Sequence, residues 1–260
     1  MSNYKANVGN VELVSLTDGH GDVDPVDTFP DSSMNQWRSE YGEFLDNKGH
    51  IHPRLGSVAV YSNGRLIIVD TGLQNSDGRL LEDMKLKGVN KDEVDIVVMT
   101  HIHPDHVGWN FSSGLPTFPK ARYLVPKADW EYWTQTDILK DAPHVRDQVI
   151  PLKKLQIIDL ISGDYNITNE LTAIPTPGHT PGHISIAISS SGHRGFILGD
   201  LVHSPAQAHY TDWNPIFDVN GSQARKPRLK VLKRLEDDRS LVSAGHLPDT
   251  GFGHFVRIGT

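Results

Sequence analysis

The chain has 260 residues, 37% of them hydrophobic and 22% charged, the balance of a globular protein that folds in water. Its net charge of −7 argues against a nucleic-acid partner, which calls for a basic face. No apolar run approaches the ~20 residues of a membrane span, and the polar start Met1-Ser2-Asn3-Tyr4-Lys5 lacks a signal-peptide core, so a cytoplasmic protein without membrane contact is expected. Zero cysteines exclude disulfides and thiolate metal sites, whereas 14 histidines offer the commonest metal ligand in quantity.

Val11–Leu16 alternates and reads as an opening strand ending at Thr17-Asp18-Gly19. Residues 21–53 are polar and aromatic-flecked without clear period; a segment of this kind is a lid or dimer-contact loop, or a surface excursion with a small core of its own. Val58–Tyr61 and Leu66–Val69 flank Ser62-Asn63-Gly64-Arg65 and predict a hairpin on an Asn-Gly turn. Ser76 is a cap for a helix through Lys87 that buries Leu80, Leu81 and Met84 and stops at Gly88. Asn90 and Glu93 frame a short capping-box turn before the strand Ile96–Met99.

Further strands are expected at Tyr123–Val125, Leu155–Leu160, Leu171–Ile174, Ile184–Ile188, Phe196–Leu198 and Leu241–Ala244. Helices are expected at Lys127–Thr134 and at about Lys226–Asp237, with Pro227 in the first turn of the second. There is no repeat, linker or low-complexity block, which suits a single domain over residues 1–260. The strands form two groups, Val11–Met99 and Tyr123–Ala244, which suggests two sheets packed face to face with helices outside.

The chain is organised around Thr100–Gly108, which places His101, His103, Asp105 and His106 within six positions after an apolar strand. In extended backbone His101 and His103 share a side, and Pro104 then breaks the regular structure and turns Asp105 and His106 to a second position. Two neighbouring ligand clusters result. His101, His179, Asp200 and His246 each follow the C-terminal end of a short apolar strand, so strand ends meeting on one rim would build a site from distant segments. Nitrogen and oxygen donors without sulfur suit zinc best, with Fe, Mn or Co as alternatives.

His101-x-His103-x-Asp105-His106, followed by His179, Asp200 and His246, resembles the metallo-β-lactamase superfamily over nearly the whole chain. Gly108-Trp109-Asn110, Gly199-Asp200-Leu201-Val202-His203 and Gly245-His246-Leu247-Pro248 look most like its N-acyl-homoserine lactonase and methyl parathion hydrolase branch. The resemblance implies the four-layer αβ/βα sandwich, an α/β fold of two packed mixed sheets with helices outside. It implies two divalent metal ions per chain, one on His101, His103 and His179, the second on Asp105, His106 and His246, with Asp200 bridging and a hydroxide between them.

Asp105 would also orient the hydroxide or carry a proton to the leaving group, and Asp70 would hold a ligand histidine in its tautomer. His203 stands where some lactonases of this group have a substrate-contacting tyrosine; it would donate to the oxyanion instead. Met34, Trp37, Trp109 and Phe111 are read as lining an apolar substrate pocket, and His183 as a structural histidine.

The function these readings imply is metal-dependent hydrolysis of a small lactone, ester or phosphotriester. A β-lactam or glyoxalase II-like thioester hydrolase is the alternative within enzymes, and a metal-stabilised binding protein is the alternative outside them. A homodimer is implied by resemblance only.

Overall fold

The computed structural model describes residues 4–257. Strands β1 (Lys5–Val8) and β2 (Val11–His20) pair antiparallel, and residues 21–53 then carry two short helices, α1 (Pro25–Thr28) and α2 (Met34–Glu40). Next come β3 (Arg54–Ser62), β4 (Arg65–Val69), α3 (Leu80–Leu86), β5 (Ile96–Val98), α4 (Pro104–Val107) and a minimal hairpin of β6 (Phe111–Ser112) and β7 (Leu115–Pro116). Strand β8 (Arg122–Pro126) leads to four helices, α5 (Lys127–Trp133), α6 (Thr136–Leu139), α7 (Pro143–Gln148) and α8 (Ile150–Lys154). The remainder is β9 (Ile158–Ile161), β10 (Tyr165–Asn166), β11 (Leu171–Pro175), β12 (Ile184–Ser190), β13 (His193–Ile197), α9 (Gly221–Asp238), β14 (Leu241–Ser243) and β15 (Phe252–Gly253).

A seven-stranded sheet has the order β1-β2-β3-β4-β5-β8-β9, and a six-stranded sheet runs β10 to β15 in sequence order. Both are mixed: β4, β5, β8 and β9 pair parallel, as do β13 and β14. Two-residue periodicity gives every central strand two buried faces. Val58, Val60, Ile67, Val69, Ile96 and Val98 meet Ile184, Ile186 and Ile188 of the second sheet. Their neighbours Ala59, Leu66, Ile68 and Val97 pack with Leu80, Met84, Val145 and Leu152 of the helices. Phe196 and Val242 on the far face of the second sheet take up Val231, Leu232 and Leu235 of α9. The layers are helix, sheet, sheet, helix, the α/β architecture expected.

The hairpin forms as its turn dictates, with Asn63 and Gly64 both left-handed at φ 50° and 72°. The division of strands differs from expectation: β8 and β9 join the first sheet through parallel pairing with β5, so the second sheet begins only after Ile161. Pro104 does not forbid a helix but occupies the first position of α4, where its missing N–H costs nothing. Helix α9 starts at Gly221 under an Asn220 cap, so Pro227 lies in its interior. Leu155 is exposed in the turn before β9, and the helices over Thr136–Lys154 carry no periodicity long enough to announce them.

Ser76 does not cap α3. The buried Asp18 carboxylate does so from across the fold, accepting the N–H groups of Leu80 (2.7 Å), Leu73 (2.8 Å) and Gln74 (3.0 Å). The same carboxylate takes the Trp109 indole N–H at 3.0 Å, just beyond the metal motif. Replacing Asp18 by Ala orphans these donors at once. Asp18→Ala is expected to lower unfolding free energy by about 2–4 kcal/mol in a denaturant titration, and a loss below about 0.5 kcal/mol would contradict the anchoring role.

Candidate metal centre

The rim where the two sheets end collects every side chain of the proposed cluster. His101 and His103 follow β5, His179 follows β11, Asp200 follows β13 and His246 follows β14, while Asp105 and His106 ride on α4. His101, His103, His179 and Asp200 bring their ligand atoms within 4.8 Å of one another, and so do Asp105, His106 and His246. Asp200 lies between the two groups: its Oδ1 is 3.2 Å from His106 Nε2, and its Oδ2 is 3.2 Å from both His179 Nε2 and His246 Nε2.

Tautomers follow from what the outer ring nitrogens touch. His106 Nδ1–H donates to Asp70 (2.9 Å), His179 Nδ1–H to Asp218 (2.8 Å) and His246 Nδ1–H to the Arg54 carbonyl (2.8 Å). His101 Nδ1–H donates to Thr100 Oγ1 (3.0 Å), whose own proton goes to Asp70 (2.8 Å). The inner nitrogens of the neutral rings therefore carry lone pairs, and they face one another: His101 and His179 Nε2 are 3.2 Å apart, and His103 Nδ1 is 2.9 Å from His179 and 3.1 Å from His101. Facing lone pairs repel unless a cation lies between them. Donors placed tetrahedrally about 2.0 Å from zinc are roughly 3.3 Å apart, close to these separations.

The hydrogen-bond inventory agrees with that reading. His106 Nε2 and Asp200 Oδ1 are buried without a hydrogen-bond partner, as are both ring nitrogens of His203. A buried polar atom left unpaired is costly, and a metal ligand is one reason for it. Burial, followed by the charge of His106, pulls the pKa of His101 well below its ordinary value; burial and then His179 do the same to His103. Burial also opposes charge on His106 and His179, but carboxylates win there. Asp200, Asp105 and Asp70 raise His106 well above the ordinary value, and hydrogen bonds to Asp200 and Asp218 raise His179 to about 9. Burial favours neutral acids at Asp105 and Asp200, yet the imidazoles of His106 and His246 hold both low.

The supports come from backbone geometry and from residues with no motif. Asp70 is left-handed (φ 61°), which swings its carboxylate back over the Thr100 N–H at 2.7 Å and onto His106. Gly199 is left-handed too (φ 58°), and a Cβ there would stand 2.7 Å from His183 Nε2. His183 is satisfied structurally: Nδ1–H reaches the Thr176 carbonyl and Nε2 accepts the Asp200 N–H at 2.9 Å, fixing the bridging residue's backbone. Asp129, Asp218 and Arg228 were not singled out in the sequence. Asp129, fully buried, accepts from Ile102 N–H and Thr180 Oγ1 (2.9 Å each) and ties the His101 turn to the His179 loop. Asp218 stands between His179 and the buried Arg228, whose Nη2 is 3.4 Å away. Asp after a Trp-Asn-Pro turn, and one Arg in a basic helix, carry no local mark of this role.

Above the cluster lies a cavity of about 390 Å³ floored by His103, Asp105, His179, Asp200, His203 and His246. Val23, Phe29, Ile51, Leu55, Leu73 and Phe217 form its walls. Residues 21–53 thus wall the cavity while packing on their own chain, and their Phe29 and Trp37 share an aromatic cluster with Trp213. None of the side chains expected to line the pocket does so. Trp37 is fully buried in that cluster with Met34 packed against it, Trp109 is turned to Asp18, and Phe111 belongs to the core beneath the first sheet. Wide aromatic spacing in the sequence signals burial, not which surface is buried. Among the described residues no helix is long and apolar enough to cross a membrane.

Comparison with known proteins accords with this geometry. The family model described as "Metallo-beta-lactamase superfamily" matches residues 53–246. An N-acyl homoserine lactonase, AttM, of Rhizobium radiobacter is 29% identical over 67% of this chain, which spans 66% of that relative's length. An N-acyl homoserine lactonase of Bacillus thuringiensis is 24% identical over 85% of this chain and 75% of its own. Among solved structures, the hydrolase AbOPH has a TM-score of 0.89 at 24% identity over 98% of this chain and 93% of that one. AidC, a dizinc quorum-quenching lactonase in complex with a product, has a TM-score of 0.84 at 23% identity over 96% and 92% of the two chains. From its motif, its layers and the family match, the chain belongs to the metallo-beta-lactamase superfamily, a superfamily of metal-dependent hydrolases.

Proposed function

We propose that this chain is a dinuclear metal-dependent hydrolase that opens a neutral lactone, ester or phosphotriester bond on the floor of the apolar cavity. The observation that carries the reading is the convergence of five histidines and Asp105 on Asp200, with the inner ring nitrogens of His101, His103 and His179 all within 3.2 Å of one another and the outer ones of His101 and His179 held from behind. His101, His103 and His179 would hold one ion, Asp105, His106 and His246 the other, with Asp200 shared. The donor chemistry favours zinc, with Fe, Mn or Co tolerated. When bound, such a pair supplies a water acidic enough to lose its proton near pH 7 and a Lewis acid for the substrate's carbonyl or phosphoryl oxygen.

The protein's own groups supply the rest. The Asp105 side chain is 23% exposed, so its carboxylate reaches from the cluster into the cavity and can take a proton and return it to the leaving oxygen. Burial lowers the pKa of His203 to about 4. Its ring is therefore neutral at pH 7 and keeps one N–H to donate to a developing oxyanion. The apolar walls expel water and strengthen both contacts. Among the described residues no lysine or arginine lines the cavity, which disfavours substrates carrying carboxylates, such as β-lactams and glutathione thioesters. The lactonase names of the relatives and the dizinc description of AidC support the lactone and the two ions.

The test is metal analysis of purified protein with an assay panel: homoserine lactones, aryl esters, paraoxon-like triesters, a chromogenic cephalosporin and a glutathione thioester. About two ions per chain and turnover confined to the neutral substrates are expected. A metal-bearing, folded protein that turns over nothing would instead be the metal-stabilised binding protein. Asp200→Asn is expected to drop metal content toward one ion and kcat/KM by at least about a thousandfold, and unchanged metal content and rate would remove the bridge. His203→Ala should lower kcat by about a hundredfold at unchanged metal content, whereas an unaltered kcat makes the residue structural. Asp218→Ala is expected to weaken zinc affinity by about 10–100-fold in a chelator competition, because His179 loses the acceptor that orients it.

A further inference from the structure

We propose that the natural substrate carries its polar atoms only at the bond that is broken, and that the remainder is hydrocarbon: an alkyl- or aryl-substituted lactone or ester without a side-chain amide. This rests on the hydrolase reading above and adds the substrate class. Most hydrogen-bond donors of the cavity wall are already committed within the fold. Thr28, among the described residues the one polar side chain above the floor, donates its hydroxyl to the Asp24 carbonyl at 2.8 Å. Val23 and Ile51 exchange both backbone hydrogen bonds (3.1 and 3.0 Å), Gly21 N–H goes to the Pro53 carbonyl at 2.8 Å, and Leu73 N–H goes to Asp18 at 2.8 Å. The buried unpartnered side-chain atoms that face the cavity belong to Asp200 and His203, on the floor, where the reacting bond must lie.

A polar group elsewhere in the substrate would lose its water on entry and gain no partner. An unpaired amide is expected to cost about tenfold in kcat/KM, while each added methylene on the tail gains up to about fourfold until the walls are filled. Phe217, 49% exposed, leaves an apolar edge of the cavity that a longer tail can cover.

The experiment compares two series on the metal-loaded protein: γ-lactones with saturated alkyl tails, and N-acyl-homoserine lactones matched to them in heavy-atom number. The alkyl lactones are expected to lead by about tenfold or more, with kcat/KM rising along the series. Acyl-homoserine lactones equal to or better than their alkyl partners would overturn the inference and leave the hydrolase reading standing. Turnover of neither series, nor of aryl esters or triesters, would overturn both.

Discussion

Everything at the rim depends on the convergence of imidazole nitrogens on the carboxylates of Asp105 and Asp200, with each ring held in place from outside the cluster. His179 Nε2 faces a ring nitrogen on each side and an Asp200 oxygen 3.2 Å away, and its outer nitrogen is pinned at 2.8 Å by Asp218. The ring cannot turn away. The same holds for His101, His106 and His246, each held from behind by a hydroxyl, a carboxylate or a carbonyl. His103 is different: it presents Nδ1 inward and is packed edge-on by Trp133 with ring centroids 5.5 Å apart. The cluster is preorganised because its supports lie in the surrounding fold.

The fold provides these supports by ending both sheets at one place. Side chains from the first sheet (His101, His103) and from the second (His179, Asp200, His246) meet only if the sheets keep their relative position, which the Val/Ile layer between them enforces. Asp129 makes the link local, bonding Ile102 on one side and Thr180 on the other. Arg228 extends it outward. Its guanidinium, fully buried in α9, holds the carbonyls of Leu201 and Thr211 as well as Asp218, so the helix on the far face reaches the His179 side of the site.

How much of this was legible in the sequence follows from the range of the signals. The candidate ligand motif is local, because a short strand, an alternating His pair and a proline turn fit within the thirteen residues 96–108, and the strand ends that carry His179, Asp200 and His246 have the same local form. The Asn63-Gly64 hairpin was legible for the same reason. Asp18, Asp129 and Asp218 were not, since each acquires its role from partners brought close by the fold: Leu80 N–H, 62 residues from Asp18; Gly182 N–H, 53 from Asp129; and His179, 39 from Asp218. An isolated aspartate looks the same whether it caps a turn on the surface or anchors a buried ring. The pocket walls failed for a related reason: Trp37 and Phe29 are both large and buried in residues 21–53, but only Phe29 lies against the cavity.

The cavity divides its labour by chemistry. Most of its uncommitted polarity lies on the floor and nearly all of its walls are hydrocarbon, so binding energy from a tail is gained without any hydrogen bond that would have to be made again in the transition state. Such contact binds ground state and transition state alike, and discrimination between substrates then falls to what the walls leave unpaired. A wall with few free donors would reject added polarity more sharply than it rejects a change in length. Residues 21–53 supply half of that wall from an aromatic cluster they share with Ala206 and Trp213. The packing of that cluster is therefore coupled to the floor: Gln207 accepts the His203 N–H and donates to the Trp213 carbonyl, so a change in the cluster would be felt at His203 as well as at the wall.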